Sequence, residues 1–420
     1  MSRPALVPVP PPPDSARAPQ ARSTDGGVHR VLLIDPSLFT APYDAALGEG
    51  LRQVGIEPHW AVRPHRGGES EALPAGQISH AIFYRRADGL SESLRRLRAV
   101  AKGVSHLAGL ARVLGVVARE RPDVVHFQWL VLPPLDLMAI AALRLVCPVV
   151  VTVHDTVPFN GDESPRWQTM ALATALRISD AVIVHTEAGR QRLEAIGVAP
   201  GKLAVIRHGP LQLGCAPTQP RRDPRWTFTS FGEIKPYKGL DILIEAAAAL
   251  EPRLREHCRF IIAGRPRMDL TPLLRRIDSA GMAGQFDVRG RRLAEAEMAD
   301  LFAETDCFLF PYRQIDASGV YYLVKGLGKW LIASDVGVFK EDQQPGGGER
   351  VPAGDAIALS EAMARAILAR PVATPIASRQ DWSAIALLTR DLYAAAARAR
   401  SGGWVQRIAA FFGAARAGVP

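Results

Sequence analysis

Apolar residues along this chain follow two rhythms. Short runs of strand length alternate with longer stretches in which they recur every three or four positions. Residues 29–35 form the first such run, followed by a loop holding Pro36, Pro42 and Tyr43 and a helix over 44–55. Further strands are expected at 78–84, 123–127, 148–153, 181–185 and 203–206, with helices over 91–120 and 186–197. The run at 148–153 is apolar but for Thr152 and rich in β-branched valine, the signature of a parallel strand covered on both faces. A proline-rich stretch at 210–224 interrupts the pattern and marks a boundary. Beyond it the same grammar repeats. Strands are expected at 226–231, 259–263, 285–288, 307–310 and 330–333, and helices over 239–250, 270–280 and 294–304. Another helix runs from the SGV stretch to Gly328, and one more follows Asp355. A helix over 382–400 is expected to stop at Gly402-Gly403, ahead of a second apolar and basic helix over 404–416.

This alternation predicts an α/β protein with two doubly wound, Rossmann-like parallel-sheet domains. The expected division is a tail at 1–28, a first domain at 29–209, a linker at 210–224 and a second domain at 225–380. The helices of 381–420 are expected to return to the first domain and to a membrane surface. The tail is rich in Pro, Ser, Ala and Arg, reads as disordered, and shows no apolar core of a secretory signal.

Composition changes the picture only in part. With 420 residues, 48% hydrophobic and 22% charged, the chain has ample core for two soluble domains. A net charge of +9 implies an acidic partner. Nucleic acid is not expected, because no recognition module or stacking aromatics accompany the basic residues. Arg95, Arg96, Arg98 and Lys102, set among leucines and valines of one helix, suit an anionic bilayer surface or an acceptor, or equally a solvated basic face on a helix packed through its leucines. The four cysteines are scattered without metal-ligand spacing, so neither disulfides nor a metal site are expected.

The stretch FTSFGEIKPYKG at 228–239 reads as a buried strand, a glycine turn at Gly232, two lysines (Lys235 and Lys238) and a helix start. Downstream, Ser318-Gly319-Val320 opens a helix directly after an apolar strand, and its free N–H groups and hydroxyl suit a phosphate. Together they make a cationic lip and an anion-binding helix start, as a diphosphate leaving group requires. In the first half, His154-Asp155-Thr156 ends a parallel strand, where open α/β sheets bind ligands. There is no G-x-G-x-x-G after the first strand, which argues against a nicotinamide or flavin cofactor.

FGEIKPYKGLDILIEA, FIIAG, DCFLFPYRQIDASGV and GLGKWLIASDVG, preceded by HFQW, VTVHD, VIVHTEAGRQRLEAIGV and VIRHG, resemble family 4 glycosyltransferases of the GT-B fold. The resemblance spans about 30–395 and looks closest to bacterial exopolysaccharide and cell-surface glycan types. It implies two domains facing a cleft, an acceptor in the first and a nucleotide diphosphate sugar (UDP- or GDP-linked) in the second. It implies no cofactor, no metal and retention of anomeric configuration. Lys238 matches the lysine on the donor phosphates, and Ser318, Gly319 and Val320 match the phosphate-binding helix start. Gly232, Lys235 and Asp316 join them in the donor set. His154 matches the histidine near the transferred sugar, orienting the donor or stabilising charge, so His154 and Lys238 form the catalytic pair.

Three positions depart from the family pattern. Glu233 stands where an arginine is usual, and Lys235 is expected to supply the charge instead. Leu323 or Val324 replaces the second of two paired glutamates, and Trp330 replaces a proline. The expected function is transfer of a sugar to a lipid-linked or glycan acceptor, by a protein peripheral on the inner face of the plasma membrane. A catalytically silent GT-B scaffold partnering an active transferase is the alternative.

Overall fold

The computed structural model describes residues 27–64, 77–84, 95–156, 166–218, 223–342, 346–374 and 381–416. The expected tail lies almost wholly outside these residues. In the first half the order is β1 (Arg30–Asp35), α1 (Ala41–Gln53), β2 (Glu57–Val62), β3 (Ile78–Ala81), α2 (Arg95–Glu120), β4 (Val124–Phe127) and α3 (Pro133–Leu143). It continues with β5 (Val149–Val153), α4 (Arg166–Ile178), β6 (Ala181–Val184), α5 (Glu187–Ala195) and β7 (Leu203–Val205). The strands form one parallel sheet in the order β3-β2-β1-β4-β5-β6-β7. One face is covered by α2, α3 and α4 through residues such as Val113, Val117, Ile140 and Leu176.

The second half runs β8 (Trp226–Phe231), α6 (Leu240–Ala249), α7 (Pro252–Glu256), β9 (Cys258–Ala263), α8 (Thr271–Ser279), β10 (Phe286–Arg289) and α9 (Glu295–Glu304). Then come β11 (Cys307–Phe310), α10 (Gly319–Val324), β12 (Trp330–Ser334), α11 (Gly337–Asp342), β13 (Gly348–Val351), α12 (Ala356–Ala369) and α13 (Trp382–Arg416). Its parallel sheet has the order β10-β9-β8-β11-β12-β13. Each sheet therefore reverses its winding once, between β1 and β4 and between β8 and β11. Such switch points open a crevice at the carboxyl ends of the strands.

α13 does not stop at Gly402-Gly403 as expected but continues to Arg416. Two glycines cost a helix about 2 kcal/mol, less than the gain from extending an already nucleated one. Its first half packs on α1 through Ile385, Ala386 and Tyr393, so this part of the chain returns to the first domain. Cys147, Cys258 and Cys307 are buried and Cys215 exposed, and none of them is in a disulfide.

Candidate active site

β8 delivers Gly232 at φ +103°, a conformation open to glycine and strained for other residues. A Cβ added there would lie 2.7 Å from Lys238 Nζ and 2.8 Å from Val320 Cγ2. The lysine and the start of α10 therefore flank the same glycine. Lys238 stands at the end of the turn Pro236–Lys238, buried, its Nζ donating to Phe231 O at 3.0 Å and lying 5.3 Å from the Tyr312 ring centre. Burial and the neighbouring Lys235 charge lower its pKa to about 7. Tyr312 hydrogen-bonds Ser318, which caps α10 by accepting from Tyr321 N. Gly319 is exposed at the helix start.

Lys235 does not simply replace the missing arginine charge. Its Nζ lies 3.2 Å from Glu233 Oε2, and Arg267 holds Oε1 of the same carboxylate at 2.6 Å. The trio keeps one net positive charge on the rim. Arg267 lies on the loop after β9, three residues beyond FIIAG, and only the approach of that loop to the turn after β8 brings it to Glu233. A cavity of 660 Å³ opens outside this rim between Tyr237, Met268, Arg276 and Arg313.

Asp316 is buried with its carboxylate turned toward the first domain. It accepts from Thr156 N and Oγ1 and pairs with Arg192. Glu341 makes a second bond across the cleft, accepting from Glu187 N and Ala188 N at 3.0 Å each, 3.6 Å from Arg207. It neutralises the amino end of α5. The ring of His208 stacks on Tyr322 at 4.1 Å, a third link between the domains. None of these three crossings was visible from sequence, since each pairs residues more than 100 positions apart.

On the opposite wall, β5 ends in His154. Burial and three neighbouring histidines hold its pKa well below the usual value, so the ring is neutral. The hydrogen bonds fix its tautomer. His185 Nδ1 donates to Ile206 O at 2.9 Å, and burial lowers that ring to about 4. Its Nε2 is therefore an acceptor, and His154 Nδ1–H donates to it at 3.0 Å. With the lone pair of His154 on Nε2, the Gln128 amide 3.3 Å away must turn its nitrogen, and not Oε1, toward the ring in order to donate. Trp129 stacks on the His154 ring at 5.1 Å and Tyr43 meets it edge-on at 4.8 Å. His154 is thus a rigid, uncharged group. Thr156, two residues on, meets Asp316, two residues before Ser318, which brings both walls to one crevice.

Arg95, Arg96 and Arg98 fall in the first turn of α2, where side chains lie outside the described residues, and Lys102 is half-buried on its second turn.

Two opposed parallel sheets with facing switch points, a lysine and helix start on one and a histidine on the other, define the GT-B class. Two family profiles match in succession: Glycosyltransferase Family 4 over residues 45–209, and Glycosyl transferases group 1 over 225–368. The chain belongs to the GT-B glycosyltransferases of the family 4 type. Comparison by sequence with curated proteins gives no match. Among solved structures, the catalytic domain of starch synthase IV from Arabidopsis thaliana, bound to ADP and acarbose, superposes with TM-score 0.64 at 13% identity. The match covers 89% of this chain and 100% of that one. HepE of Anabaena with UDP and glucose gives 0.60 at 15%, covering 90% and 100%. Sucrose-phosphate synthase from Thermosynechococcus elongatus gives 0.59 at 17%, covering 92% and 100%.

Proposed function

We propose that the protein moves a sugar from a nucleotide diphosphate sugar, UDP-linked in the first instance, to a lipid-linked saccharide or other glycan acceptor. The observation that carries this is the convergence of Lys238 Nζ and the α10 start on Gly232 at the floor of the interdomain crevice. Lys238, the rim of Lys235 and Arg267, and the N–H groups from Gly319 onward supply positive potential where the leaving diphosphate gains charge. The UDP-bound structure of HepE favours UDP as donor nucleotide. By resemblance, anomeric configuration is retained without a metal at the donor. The bond from the anomeric carbon to the diphosphate oxygen breaks, the acceptor oxygen joins the same face, and its proton passes to the departing diphosphate. His154, neutral and fixed, hydrogen-bonds the transferred sugar.

The first domain supports a bacterial surface-glycan role at the inner face of the plasma membrane. Val100, Val104 and Leu107 on α2 and Trp167 and Met170 on α4 are exposed on one helical layer. α2 is long and apolar enough to cross a membrane by length and composition, with 33% of that window buried. Its inner side packs on the sheet through Leu110, Val113 and Val117. We read it as lying on the bilayer rather than through it. Incubation with UDP-, GDP- and ADP-sugars and a polyprenyl-diphosphate saccharide, followed by mass spectrometry, tests the proposal. A product longer by one hexose-type unit supports it, and no product from any pair overturns it.

A further inference from the structure

The amino end of the first sheet, opposite the crevice, brings together His59 of β2, His80 of β3 and Glu120 at the end of α2. In the β2–β3 register Ala61 faces His80, so His59 and His80 share one sheet face on a diagonal. α2 covers that face, and its last residue closes the triangle. His59 Nδ1 lies 2.7 Å from Glu120 Oε2, and His80 Nε2 lies 3.1 Å from Glu120 Oε1. One nitrogen from each ring and one carboxylate oxygen lie within 4.8 Å of one another.

With both rings neutral, the hydrogen bonds do not close on their own. With His59 Nδ1–H given to Glu120, the ring's other nitrogen is a lone pair, buried without a hydrogen-bond partner. That nitrogen sits 3.5 Å from Glu57 Oε1, acceptor against acceptor. His80 Nε2 is also buried without a properly aligned hydrogen bond, despite its proximity to Glu120. A cation between the three ligands removes both conflicts. It takes the lone pairs of His59 Nδ1, His80 Nε2 and a Glu120 oxygen, and the His59 proton moves to Nε2, where Glu57 accepts it. A carboxylate behind a ligating histidine is the usual support of a bound zinc.

We propose that His59, His80 and Glu120 form a structural site for a divalent borderline metal ion, zinc by its ligand set, with water as fourth ligand. Ligand atoms in tetrahedral array sit about 3.3 Å apart at zinc bond lengths; here the two nitrogen–oxygen separations are 2.7 and 3.1 Å and no pair of ligand atoms exceeds 4.8 Å, so small side-chain adjustments suffice. The ion clamps the edge strand β3 to β2 and to the end of α2. It lies at the amino ends of the strands, away from the carboxyl-end crevice, and takes no part in sugar transfer.

The test uses the full chain made without a polyhistidine tag, dialysed against chelator, then titrated with Zn²⁺ alone or Co²⁺ alone. One equivalent of Zn²⁺ per chain is expected, with visible absorption of four-coordinate Co²⁺, a rise in Tm and unchanged donor affinity. His80→Gln and Glu120→Gln are expected to weaken binding by about 100-fold or more, and Glu57→Gln by about 10-fold. X-ray absorption of the zinc-loaded wild type, which needs no variant, should show two imidazoles. Absence of saturable uptake by the wild type, undiminished uptake in both ligand variants, or a zinc shell without imidazole overturns the site. In those cases His59 and His80 make only their direct contacts with Glu57 and Glu120.

Discussion

Raising the pH from about 6 to about 9 should remove the proton from Lys238 in the donor-free protein, because burial and Lys235 bring its pKa to about 7. The donor's diphosphate needs that proton in place. A nucleotide sugar is a diphosphate diester with no phosphate that titrates in this range, so the dependence belongs to the protein. Above the midpoint each pH unit leaves a tenfold smaller protonated fraction, which costs binding about 1.4 kcal/mol, or tenfold in Kd per unit. The loss levels off once the pH passes the raised pKa of Lys238 beside bound diphosphate. Lys238→Met removes one charged hydrogen bond, about 1.5–3 kcal/mol, and should weaken binding at low pH by about 10–150-fold. Its Kd should then be flat with pH. Calorimetric titration of wild type and variant across the range reads both. A wild-type Kd that does not rise above the midpoint refutes the placement of Lys238 on the diphosphate, as does a variant that keeps the slope. The same shift predicts a stability effect of known sign. The folded pKa lies below the ordinary lysine value near 10.4, so between about 7 and 10.4 the unfolded chain binds the extra proton. Without donor, this group makes stability climb with pH across that window.

Gly232→Ala places a Cβ against Lys238 Nζ and Val320 at positive φ, and should lower Tm by a few degrees while reducing donor affinity at least about tenfold. A calorimetric trace matching wild type would refute the crowding. His185→Phe strips His154 Nδ1–H of its acceptor at about 1–3 kcal/mol and should lower kcat by more than it weakens donor binding. Asp316→Asn loses the ionic part of the contact with Arg192 and Thr156, and X-ray scattering should show a larger radius of gyration without donor. Val104→Asp, on an exposed position of α2, should abolish flotation with anionic vesicles and leave Tm within about 1 °C of wild type.

Much of the fold was legible because parallel strands buried on both faces are nearly continuous apolar runs, as at β5 and β11. β2 was missed, since Glu57, Pro58 and His59 interrupt the run and hide the strand that follows. α11 was missed because Gly337 and Asp342 bound only six residues, too few for a periodic pattern. In the site, Gly232, Lys238 and the start of α10 were readable because each follows its strand directly in sequence. The partners that give them their chemistry were not. Tyr312 beneath Lys238, His185 behind His154 and Thr156 against Asp316 all arise from tertiary approach, which local pattern does not encode.

The substitution of Glu233 for the family's arginine looks like a loss of donor charge, but the buried lysine changes that assessment. Lys238 is kept from holding its proton by burial first and by the Lys235 charge second, and Glu233 acts in the opposite direction. An arginine at 233 would add a second repelling cation and lower Lys238 further, leaving it neutral at physiological pH. The glutamate instead gathers Lys235 and Arg267 onto itself and leaves the deep ammonium closer to full charge. Glu233→Gln should therefore shift the midpoint of the donor-binding pH profile downward, and Glu233→Arg further still, although both add positive charge to the rim. Tighter binding at pH 8 in either variant would mean that the exposed rim, not Lys238, sets the affinity for diphosphate.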